Sequence, residues 1–83
     1  MNEEIRIKLT QMVKEIAEYE EIPNIIGEKV NLSDEYMFDS LMIIELISNI
    51  EIEYGFEFDF ELLDIDKIYF FDELVSIVEN RIK

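Results

Sequence analysis

An aspartate and a serine stand side by side, Asp39-Ser40, at the head of the apolar run in FDSLMIIEL, residues 38–46. A serine there could start a helix, act as a nucleophile, or accept a covalently attached group. Nucleophilic attack needs a base to take the hydroxyl proton. The chain has no histidine, so a Ser-His-Asp relay cannot be assembled. Ile43 occupies the third position after Ser40, so S-x-x-K is missing, and G-x-S-x-G does not occur. Carboxylates are plentiful, but a small helical domain offers no evident cleft to hold two at a set separation. The chain is therefore not expected to be an enzyme.

Other site chemistries fare no better. Cysteine is absent, which removes disulfides and thiolate metal sites. Asp64-Ile65-Asp66 resembles the opening of a calcium loop, but Lys67 and Tyr69-Phe70 break the pattern and its glycine is missing. No metal ligand is assigned. Gly27 and Gly55 are the only glycines, too few for a phosphate cradle. Two readings of Ser40 then stay open. It is a first-turn residue behind an Asp39 cap, or it is an attachment point. Free N–H groups and the helix dipole at such a position favour an added phosphate. An incoming enzyme would supply the base this chain lacks.

Charge limits the partners. The 83 residues hold 21 acids and seven bases, for a net charge of −14. Nothing here could neutralise nucleic-acid phosphates, and anionic membrane surfaces are disfavoured for the same reason. Basic protein surfaces are the natural partners, met by steered, salt-sensitive association. No basic residue lies between Lys29 and Lys67, while residues 30–66 hold 11 acids. Ser40 sits inside that interval. No stretch approaches the ~18 apolar residues of a membrane span, and the opening MNEEIRIKLTQ has no apolar signal core. The expectation is one soluble, cytoplasmic domain over residues 1–83, monomeric, with 49% hydrophobic residues for its core.

Periodicity predicts the elements that would position Ser40. Ile5, Leu9, Met12, Val13 and Ile16 share one face of a helix over about Asn2–Tyr19, with Asn2 as its cap. From Glu20 to Phe38 no period holds, and Pro23 and Gly27 interrupt the chain. A loop this long is usually functional, and its apolar residues, Ile22, Ile25, Ile26, Val30, Leu32 and Met37, suggest that it packs across the bundle. A second helix runs from Ser40 to Tyr54, capped by Asp39 and ended by Gly55. Its inward stripe is read as Leu41, Ile44 (or Ile43), Ile47, Ile50 and Tyr54. Phe56–Phe58 is read as extended, and Phe60–Leu63 as a short helical turn. A last helix, about Phe70–Ile82, buries Phe71, Leu74, Val75, Val78 and Ile82. The predicted fold is all-α: a small four-helix bundle of three main helices and one short one, with a long loop between the first two main helices.

At Asp39-Ser40-Leu41 the sequence resembles the acyl and peptidyl carrier proteins, whose hallmark is D-S-L at the start of the second helix. DSLMIIELISNIEIEYGFEF is similar to that helix and the turn after it. Glu45-Leu46 matches the family's E-L pair, and Tyr54-Gly55-Phe56 its aromatic-glycine ending. Asp66-Lys67-Ile68, followed by the Leu74-Val75 helix, is similar to the closing section. The chain departs from the family at Tyr36-Met37-Phe38, where many members have Leu-Gly before the residue preceding D-S-L. It departs again at Met42, where fatty-acid carriers often place an acid.

The resemblance implies that Ser40 carries 4′-phosphopantetheine, donated from coenzyme A by a phosphopantetheinyl transferase and joined through a phosphodiester. It implies that Asp39 helps the transferase place metal and substrate. Acyl or aminoacyl intermediates would ride as thioesters, and the departures point to a specialised pathway rather than bulk fatty-acid synthesis. Leu41 is expected to dock into loading and downstream enzymes with basic surfaces. Met42, Ile43, Glu45, Ser48 and Ile52 are expected to form a mixed apolar and acidic docking face. The rival reading is an acidic inhibitor or adaptor of a basic partner, with no prosthetic group.

Overall fold

The first helix forms where the apolar spacing calls for it. The computed structural model, which describes residues 3–18, 21–59, 61 and 63–82, places α1 at Glu3–Ile16. Glu3 and Glu4 occupy its first turn and Lys14 its last, as the helix dipole favours. Ile5, Leu9, Met12 and Val13 are buried, and Ile16 is partly buried against them. The Asn2 cap expected from the sequence lies outside the described residues; the helix, expected to reach about Tyr19, ends at Ile16, with Ala17 and Glu18 already non-helical.

The segment after α1 is tied down at several points. Ile22 and Ile26 enter the core, as expected of a loop crossing the bundle. The hydroxyl of Thr10, itself fully buried, donates to the Arg6 carbonyl at 2.8 Å and accepts the Ile26 N–H at 3.0 Å. Arg6 donates to the carbonyls of Ile26 and Gly27, at 2.9 and 3.1 Å. Further along, the chain makes a short helix, α2, at Leu32–Tyr36. The sequence reading leaves this stretch as loop. Its start is local chemistry: Asn31 Oδ1 accepts the N–H groups of Ser33 and Asp34. The N–H of fully buried Leu32 donates to the Tyr69 carbonyl at 2.7 Å, and the Phe71 N–H donates to the Val30 carbonyl at 3.0 Å. That backbone pairing stitches the end of the long connection to the start of the last helix.

Helix α3 spans Ser40–Tyr54, with Asp39 as N-cap and Gly55 as C-cap. Gly55 adopts φ 72°, the left-handed conformation that glycine takes without steric cost. Helix α4 spans Phe71–Arg81 and buries Phe71, Leu74, Val75 and Val78. Ile82, read as part of that face, is 46% exposed just past the helix end. Helix α1 packs against both α3 and α4. Between α3 and α4, Phe56–Phe58 carries no regular structure. The Phe58 N–H bonds Glu51 Oε2 at 2.7 Å, and the Arg81 guanidinium lies 4.8 Å over the Phe56 ring. Phe60 and Leu62 of the short turn expected at Phe60–Leu63 lie outside the described residues. The short helix of the described residues is α2 instead. The all-α bundle is as expected, with its short helix before Ser40.

An ionic clamp closes the base of this arrangement. Asp72, in the first turn of α4, accepts from Arg6 Nη2 at 2.5 Å and from the Lys29 N–H at 2.9 Å. Arg6 also stacks 5.3 Å above the Phe71 ring. Partial burial pushes the Asp72 carboxyl up. The Lys29 N–H and the Arg6 hydrogen bond and charge outweigh this and hold it below the ordinary value of 3.8.

Candidate functional site at the start of α3

Ser40 is the first residue of α3 and is exposed. Asp39 sits before it in an extended conformation, φ −102° and ψ −176°, and its Oδ1 accepts the Met42 N–H at 2.9 Å. The first backbone bond of the helix runs from the Ile43 N–H to the Asp39 carbonyl at 3.0 Å. The N–H groups of Ser40 and Leu41 therefore precede the helical ladder. Phe38, 2% exposed, anchors the approach to Asp39 in the core. A buried phenylalanine on one side and a capped helix on the other fix where the hydroxyl sits. The positive end of the helix favours negative charge beside it.

This donor set suits a phosphodiester. Ser40 is exposed, and the backbone N–H groups that precede the helical ladder flank it. The surrounding charge is acidic. Among the basic residues, Arg6 is committed to the clamp, Lys8 lies 3.7 Å from Glu53, Lys14 donates to Asn24, and Arg81 covers Phe56.

The structure divides the residues expected to form a docking face. Leu41, Glu45, Ser48 and Ile52 lie four, three and four residues apart and are all exposed. They form one outward stripe of about 16 Å, at ~1.5 Å per residue. Leu41 and Ile52 at its ends are 76% and 81% exposed. Met42 is partly buried at the edge of that stripe. Ile43 is a correction: it is 2% exposed and belongs to the core with Leu46, Ile47 and Ile50. The inward stripe is corrected with it, since Leu41 and Ile44 both point outward and Ile44 is 54% exposed. The helix is apolar around most of its girth, so alternative stripes fit the sequence equally well. Burial chose the set 43, 46, 47, 50, with Tyr54 partly buried at its end.

Two apolar residues near Ser40 escape the sequence reading as site residues. Ile44 is one. Met37 is the other, and it is 75% exposed. Met37 ends α2 with φ 62° and ψ 34°, a left-handed backbone that costs a non-glycine residue about 1–2 kcal/mol. Positive φ could have been suspected from Met37 standing one residue past a capped five-residue helix. The calcium-like Asp64 makes a simple turn: its Oδ1 accepts the Asp66 N–H at 2.9 Å.

Among the described residues, no helix is long and apolar enough to cross a membrane. No curated protein and no solved structure matches the chain. A family model does match, the one described as the phosphopantetheine attachment site, over residues 8–68. That span runs from within α1 through the whole of α3 to the turn before α4, and takes in the long connection and Ser40. The chain thus belongs to the phosphopantetheine attachment family, and is a carrier protein of the kind that bears 4′-phosphopantetheine covalently.

Proposed function

We propose that Ser40 is the attachment residue, and that the protein is a monomeric, cytoplasmic, non-catalytic carrier of acyl or aminoacyl intermediates in a specialised pathway. The observation that carries this reading is the exposed Ser40 at the first position of a capped helix, within the matched family span. On loading, Ser40 Oγ would bond to the phosphorus bearing the pantetheine of coenzyme A. The pyrophosphate P–O bond breaks, adenosine 3′,5′-bisphosphate leaves, and a base of the transferase takes the hydroxyl proton. The attached group supplies a terminal thiol that holds cargo as a thioester, which is how a chain without cysteine takes part in thiol chemistry.

The chain's own residues do the rest. Asp39 caps α3 and holds Ser40 at its start. The α3 N-terminus favours the phosphodiester charge. Leu41, Glu45, Ser48 and Ile52 offer partner enzymes a stripe of two apolar ends around an acidic and a polar residue. Ile44 and Met42 flank it. Partners with basic rims would dock quickly and release quickly, with on-rates that fall in salt. Ile43 has no part in this surface.

Intact mass tests the assignment. The protein is incubated with coenzyme A, magnesium and a broad-specificity phosphopantetheinyl transferase, beside Ser40→Ala. A gain of one phosphopantetheinyl unit in the wild type alone is the expected result. A folded wild type left unmodified by a transferase that loads a control carrier would refute it, and would favour an acidic adaptor.

A further inference from the structure

A groove of about 330 Å³ opens beside Ser40, lined by Glu18, Tyr36, Met37, Asp39 and Met42. We propose that this groove seats the pantetheine arm itself, with Met37 and Met42 as its apolar contacts. The inference rests on Ser40 being the attachment residue.

Met37 motivates it. Its left-handed backbone is the C-cap of α2, with its N–H bonded to the Ser33 carbonyl at 3.1 Å. Glycine would make the same cap without strain. Lys29, the other non-glycine residue at positive φ among the described residues, has its N–H held by Asp72 in the clamp. Met37 has no such return in stability, because its side chain is three-quarters exposed and adds little to the core. A strained, exposed side chain next to a functional residue is better explained by function than by folding. What Met37 does here is wall the groove, and a thioether side chain adapts to irregular apolar shapes.

The lining also selects the occupant. The volume falls at the small end of the ~300–1,000 Å³ range of ligand clefts. Two carboxylates, Glu18 and Asp39, line it together with two thioethers and a phenol. A purely apolar acyl tail would desolvate those carboxylates without pairing them. The arm suits both sets of groups. Its geminal methyls fit Met37 and Met42, and its two amide N–H groups can donate to carboxylate oxygens. Asp39 belongs to the groove and is bonded in sequence to Ser40, so the arm is tethered at the rim. A short tether gives an effective concentration of the order of mM, ahead of any diffusing partner.

The test uses protein labelled with ¹³C at the methionine methyls and loaded from coenzyme A, with loading checked by intact mass. The expected result is nuclear Overhauser contact between the arm's geminal methyls and the Met37 and Met42 methyls, with none to Met12 in the core. Met37→Gly, with its loading checked by intact mass, should melt no lower than the wild type. It should lose the Met42 contact and alkylate faster at the arm thiol. A loaded protein whose arm shows no contact with Met37 and Met42, or contacts Leu41 and Ile44 instead, overturns the groove assignment and leaves Ser40 loading intact. A Met37→Gly protein that keeps the Met42 contact overturns the role of Met37. Failure to load overturns the Ser40 reading and this one together.

Discussion

Asp72→Ala should cost the protein a measurable share of its stability, because Asp72 joins three distant pieces of chain. It accepts from Arg6 of α1, 66 residues away, and from the Lys29 backbone, 43 residues away. Hydrogen bonds to a charged group are worth about 1.5–3 kcal/mol each when well sheltered. The Asp72 side chain is 40% exposed and that of Arg6 20%, so solvent screening cuts the value of the pair toward that of a surface bridge. Truncation also removes one of 21 acids, which relieves some self-repulsion. The net expectation is a loss of about 1–2 kcal/mol, taken from those discounted values. For a domain this size that lowers Tm by roughly 5–15 °C.

The acid dependence has a defined sign. The Asp72 carboxyl is held below its ordinary value of 3.8 in the folded chain. Its stabilisation is therefore fully present above that value and is lost as pH falls through the lower, folded-state pKa. Thermal melts of wild type and variant, followed by circular dichroism from pH 7 downward, should show a gap that is constant near neutrality and closes only in strong acid. The gap is the quantity to follow, because the other acids shift both proteins together as they protonate. Hydrogen exchange at the Lys29 amide should accelerate in the variant at pH 7. A Tm within a degree or two of wild type at pH 7, or a gap unchanged in strong acid, would refute the clamp.

Thr10→Val leaves the buried Ile26 N–H without its acceptor and should cost about 1–3 kcal/mol, read as a lower urea midpoint at unchanged slope; Thr10→Ser should restore most of it, and a Val variant as stable as wild type would show that the contact carries no weight. Added salt or magnesium should raise Tm by screening the net charge of −14, and a flat or falling Tm across a salt titration would count against self-repulsion as a destabilising term.

Some of this molecule could be read from local chemistry alone. Helix α3 begins and ends where Asp39 and Gly55 place it, because a capping carboxylate and a glycine C-cap act over three or four residues. The α1 face Ile5, Leu9, Met12 and Val13 and the α4 face Phe71, Leu74, Val75 and Val78 were legible because polar residues separate the apolar ones at helical spacing. The placement of Ser40 was legible for the same reason, as a serine beside a cap at the head of a helix, whereas its reading as an attachment point came from the resemblance carried by Asp39-Ser40-Leu41. Helix α2 had a readable signal too, Asn31 followed by Asp34 and Glu35. Its single turn was too short for periodicity to expose.

Tertiary structure decided what local chemistry leaves degenerate. Leu41, Met42, Ile43 and Ile44 are four consecutive apolar residues that together cover most of a helix's circumference, so no spacing rule tells which one turns inward. The packing of α3 against α1 goes with Ile43 buried in the core and Leu41 and Ile44 left outside. The bonds from Arg6 to Asp72, from the Ile26 N–H to Thr10 and from the Lys29 N–H to Asp72 span 16 to 66 residues and enter no local pattern. The groove beside Ser40 is of the same kind. Glu18 follows α1, Tyr36 and Met37 close α2, and Met42 rides on α3. Only the folding of the connection between α1 and α3 brings them to one wall.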